Sequence, residues 1–153
     1  MVWLNRTLLS SDHLGICFTK EEYHKILKRL KIPAVDKDDW LMQDALATTH
    51  YIKTPKGNRV CLVCIPIASN LDGVEVAALL VHEAVHVVQE YFSYINEDSP
   101  GIEIEAYAIQ SVSASLMAAY RDRLFPKVKE KKDGLHLGHR DIQDSVHVLS
   151  DQQ

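Results

Sequence analysis

Between Val74 and Tyr94 the chain passes through Val74, Val76, Ala77, Ala78, Leu79, Leu80, Val81, Ala84, Val85, Val87 and Val88, so a helix here is apolar on nearly every side. Such a helix belongs inside a fold rather than on its surface. Asp72 is placed to cap its start, and Glu75, three residues on, completes a capping-box pattern. The polar exceptions fall together. At about 100° per residue, Glu75, His82, Glu83, His86, Gln89, Glu90 and Ser93 occupy one stripe roughly 120° wide. Unpaired charge is costly to bury, so the stripe is expected to face a cleft, a metal ion or paired groups.

Inside that stripe stands His82-Glu83-Ala84-Val85-His86. Positions i and i+4 of a helix lie one above the other, so both imidazoles can reach a single ion, with Glu83 one step round beside its open side. Two His and a Glu so spaced suit a zinc site that activates water for hydrolysis. A tetrahedral catalytic zinc needs a third protein ligand. The next helical stretch, Ile102 to Arg123, offers Glu103 and Glu105. Glu105 shares its face with Ala108, Ile109, Val112, Leu116 and Ala119, whereas Glu103 lies opposite with Gln110 and Arg121. A carboxylate on a core-facing stripe demands a partner, which a Zn2+ on the preceding helix would supply. Glu105 is therefore the expected third ligand, and Glu103 a surface group.

Eighteen residues separate His86 from Glu105. In this the segment from about residue 59 to 120 resembles the gluzincin metallopeptidases, where His-Glu-x-x-His is followed at a similar distance by a ligating Glu. The run Glu105-Ala106-Tyr107-Ala108 resembles small phage- or prophage-type metallopeptidases. The resemblance implies Zn2+ held by His82, His86 and Glu105, with Glu83 as general base and a peptide or protein as the substrate hydrolysed. Two departures stand out. The third His that a metzincin carries shortly after His86 is absent, and no Tyr or His matches the family's usual transition-state stabiliser. The second departure keeps another reading open, a zinc-stabilised scaffold without turnover that serves binding or assembly. A metal-free helical interaction protein, its His pair packed in a polar core, is the third reading.

A chain of 153 residues can bury one good core. The formal net charge of −4 gives no electrostatic case for nucleic acid. Met1 to Ser11 lacks the charged-then-apolar order of a signal peptide, and no apolar run reaches membrane-spanning length, so a cytoplasmic location without a membrane partner is expected. Three Cys, an odd number, argue against a disulfide framework. Cys61 and Cys64 sit on an apolar, β-branched run, where residues three apart point to opposite faces, so both are expected to be core side chains.

Thr19 to Leu30 reads as an amphipathic helix with Thr19 as N-cap, Glu22 three residues on, Tyr23, Ile26, Leu27 and Leu30 on one side, and Pro33 as its end. Asp36 to Asp39 is an acidic turn. Leu46 to Lys53 and Arg59 to Ile67 read as strands joined by a turn at Thr54-Pro55-Lys56-Gly57-Asn58, with Pro66 closing the second. The order implies α+β: a zincin-like minimal domain with a hairpin or small sheet on the buried motif helix and a second, ligand-bearing helix. Leu46–Lys53 is the strand expected to stay exposed. In the family it resembles, such a strand pairs with extended substrate. Residues 1–126 are expected to form the domain and 127–153 a charged extension, with a short helix from Asp141 to Leu149. His136, His139, His147, Tyr107 and Tyr120 are candidate hydrogen-bond donors to the cleft.

Overall fold

The computed structural model describes residues 2–4, 13–33, 39–67 and 70–126. Among these residues seven elements follow one another: β1 (Val2–Trp3), β2 (His13–Cys17), α1 (Lys20–Arg29), β3 (Thr48–Lys53), β4 (Arg59–Cys64), α2 (Gly73–Tyr94) and α3 (Ile102–Leu124). The expected α+β class is met. The expected hairpin is part of a larger sheet of order β1-β2-β4-β3. In it β3 and β4 are antiparallel, β2 runs parallel to β4, and β1 lies antiparallel outside β2.

The sheet is covered on both faces, which is why β4 reads as an unbroken apolar run rather than an alternating one. Ile16, Phe18, Cys61, Val63 and Ile65 join Leu80, Ala84, Val88, Val112 and Leu116 in one core between the sheet and the helices α2 and α3. Cys17, Val60, Leu62 and Cys64 point the other way and meet Tyr23, Ile26 and Leu27 of α1. Cys61 and Cys64 thus lie on opposite faces as expected, and all three cysteines are buried and outside any disulfide. Cys64 finds Cys17 in register on the parallel neighbour. Hydrogen bonding to that thiol, together with burial, holds Cys64 well above the ordinary thiol range.

Local chemistry sets the helix ends. Asp72 accepts from the Val74 and Glu75 amides while Glu75 accepts from the Asp72 amide, the expected capping box. At the other end Asn96, with φ of 56°, closes α2 through Asn96 N–H to Ser93 O and Glu97 N–H to Phe92 O. Helix α1 starts at its expected cap, Thr19, whose side chain accepts from the Glu22 amide. It ends where expected, with Leu30 as its C-cap. The stop is a left-handed turn at Lys31, φ 60°, with Lys31 N–H bonded to Lys28 O and Ile32 N–H to Leu27 O, two residues before Pro33.

A correction concerns α2, which is not buried all round. Val74 and Val81 are exposed, as is Ala78, because the sheet and α3 cover two sides of the helix and leave the rest open. Tyr120 sits in the core and donates to Pro66 O at 3.5 Å, while Tyr107 is exposed. The Asp36 to Asp38 part of the acidic turn lies outside the described residues. So do the 127–153 extension, its expected Asp141–Leu149 helix and His136, His139 and His147. Among the described residues no helix is long and apolar enough to cross a membrane.

Candidate metal centre

Both imidazoles of the motif stand on the open side of α2, and their Nε2 atoms face each other at 3.1 Å. The rings are 4.7 Å apart between centroids and nearly perpendicular. Two nitrogens bonded to one tetrahedral zinc at about 2.0–2.1 Å would be roughly 3.3 Å apart, so the pair already has the separation of two ligands on one ion. Helical repeat alone produces this, since the side chains of residues four apart lean onto one another.

Glu83 behaves differently from the rest of the stripe. Glu75, His82, His86, Gln89 and Ser93 are exposed, whereas Glu83 is only 3% exposed. One step round from His82, it turns toward the sheet, where its Oε2 accepts a hydrogen bond of 2.5 Å from Thr49 Oγ1. The donor belongs to β3, the outermost strand on that side of the sheet among the described residues. A bond this short between a hydroxyl and a carboxylate has the geometry of a charge-assisted one. Further along the same face, Arg59 pairs with Glu90 and lies over the Tyr94 ring at 4.2 Å, so that α2 is tied to the hairpin at two levels.

Tyr51 follows Thr49 by two residues, so both side chains leave the same face of β3. It is half-exposed, and burial, with Cys61 and then Glu83 adding to it, pushes its hydroxyl up to about 12. Beside the strand runs a groove of about 500 Å³ bordered by Asp39, Met42, Gln43 and residues Thr48 to Tyr51. Thr49 and Tyr51 are site residues that the sequence does not single out for chemistry, because nothing local links them to a helix more than thirty positions later.

Glu105 opens the inward stripe of α3 and is half-buried, while Glu103 is exposed as expected. The turn that carries Glu105 lies near the end of α2, where Ile104 and Ala108 border a cavity of about 330 Å³ together with Tyr91, Phe92 and Ile95. The structure brings His82 and His86 together on the open side of α2, with Glu83 on the adjoining side that meets the sheet. It does not join Glu105 to them: among the described residues no group of three or more His, Cys, Asp or Glu side chains is gathered closely enough to hold a metal ion.

No protein-family model, curated protein or solved structure matches this chain.

Proposed function

We propose that this protein is a zinc-dependent peptidase with His82 and His86 as metal ligands, Glu105 as the third ligand and Glu83 as general base. The observation that carries the reading is the convergence of the two Nε2 atoms at 3.1 Å beside a carboxylate gripped from an edge strand. The fit to zinc rests on that donor pair, two neutral-capable nitrogens at ligand separation, and on a half-buried Glu105 carboxylate on the helix that packs against α2. A bound zinc would supply the Lewis acidity that makes water nucleophilic near neutral pH and polarises a carbonyl.

The remaining work falls to the chain itself. Glu83 takes the proton of the attacking water and delivers it to the leaving amine. Its buried setting keeps bulk water from competing, and the Thr49 hydroxyl fixes its orientation. The main-chain edge of β3, outermost in the sheet among the described residues, and the groove beside it suit an extended peptide, which would pair with the strand and lay a scissile bond across the imidazoles. The half-exposed Tyr51 hydroxyl, a neutral donor through the working pH range, lies on the face that this peptide would cross.

The test is elemental analysis of purified protein, followed by cleavage screening against a broad peptide library. About one zinc per chain with cleavage that Glu83→Gln abolishes supports the reading. Protein that takes up no zinc on reconstitution sinks it. Zinc bound with no cleavage anywhere in the library favours the binding or assembly module instead.

A further inference from the structure

Resting on the peptidase reading, we infer that Thr49 is the positioning residue of the general base: its hydroxyl holds one oxygen of Glu83 so that the other is left for the proton transfer. The two side chains meet at 2.5 Å across 34 positions of sequence, one from the edge strand and one from the motif helix. An ionised carboxylate only accepts hydrogen bonds, and it needs donors when it is almost fully buried, as Glu83 is. Thr49 supplies that donor to Oε2. The second oxygen is not one of the buried polar atoms left without a partner, which among the described residues are Thr54 Oγ1 and Ser113 Oγ. It therefore keeps an opening.

A β-branched residue suits this role, because χ1 of Thr is restricted on a strand and the hydroxyl stays where the backbone puts it. The grip comes from the sheet and not from α2 itself. A peptide that pairs with the outer edge of β3 would stiffen the strand that steadies the base. Binding energy from residues remote from the scissile bond would then appear in kcat rather than in KM alone.

The experiment uses the full-length, zinc-loaded chain and three variants: Thr49→Val, which removes the hydroxyl at nearly constant shape, Thr49→Ala as a second hydroxyl-free form, and Thr49→Ser, which restores the donor. Kinetics are read on a peptide from the library screen, zinc by elemental analysis, and thermal unfolding on the metal-free proteins with and without Glu83→Gln. The expected result is zinc content and KM near wild type in Thr49→Val with kcat lower by about 100-fold, the scale of a misplaced reacting group. Thr49→Ser should return to within several-fold of wild type. In the metal-free proteins the shifts in unfolding temperature for Thr49→Val and Glu83→Gln should fail to add, as residues in contact do. An active wild type with an equally active Thr49→Val overturns the positioning role alone, as do additive unfolding shifts. A wild type that cleaves nothing overturns the peptidase reading, and this role with it.

Discussion

His82 and His86 meet through their Nε2 atoms at 3.1 Å on the open side of a helix whose remaining flanks are covered by a sheet and by α3. Only one nitrogen of that contact can carry a proton, so a cation that replaces it meets two acceptor lone pairs instead of one. Zinc uptake as proposed would need both imidazoles neutral, since protonated imidazole cannot ligate.

Replacing Glu83 by Gln should leave zinc stoichiometry at the wild-type value and lower kcat by about 10²–10⁴-fold, the usual contribution of a positioned acid–base group. Parallel elemental analysis and single-turnover cleavage measure the two quantities. A variant with undiminished turnover would remove Glu83 from the chemistry.

Replacing Glu105 by Ala should weaken zinc retention by at least tenfold, measured by competition with a chromogenic chelator. The same change at the exposed Glu103 should alter it by less than twofold. The reverse order would transfer the ligand role to Glu103.

Tyr51 carries a signature that does not depend on metal. With its hydroxyl pushed up to about 12, ultraviolet titration of the folded chain should show a late tyrosinate step that disappears in Tyr51→Phe. The sign follows from linkage. A folded-state value above the unfolded value of about 10 stabilises the fold below pH 10, and that contribution is lost as pH rises from about 10 to 12. Tyr51→Phe should therefore unfold less steeply with pH across this window.

Lys31 holds a left-handed conformation at the end of α1, where a glycine avoids the Cβ clash. Lys31→Gly should stabilise the protein by up to about 1 kcal/mol, after the greater freedom of glycine in the unfolded chain is subtracted. Urea unfolding of the two proteins would reveal it, and a lower midpoint for the variant would contradict the capping account.

What the sequence made legible was local. The capping box at Asp72 and Glu75, the turn at Thr54 to Asn58 and the His82/His86 spacing all depend on residues within five positions of one another, and each appears where the chain announces it. The contacts that complete the site are not local. Thr49 and Glu83 are 34 positions apart, and β2 is a five-residue strand whose partner begins at Arg59. A short parallel strand carries no turn signal to its mate, so nothing near His13–Cys17 reveals the pairing. The exposure of Val74, Ala78 and Val81 was equally hidden, because apolar composition alone does not say how many sides of a helix will be covered. At the end of α1 the visible breaker, Pro33, marked the right place, but the stop is made at Lys31, and a lysine gives no hint that its backbone will turn left-handed.

The parallel pairing of His13–Cys17 with Arg59–Cys64 also sets a timetable for assembly. As the chain leaves the ribosome, β2 has no inner neighbour until the hairpin's second strand has been made, and α2 has no floor to rest on before then. A nascent chain arrested at Asn58 would hold β2 and β3 with the strand that joins them still missing, so the motif helix is synthesised only after the last strand it must lie against.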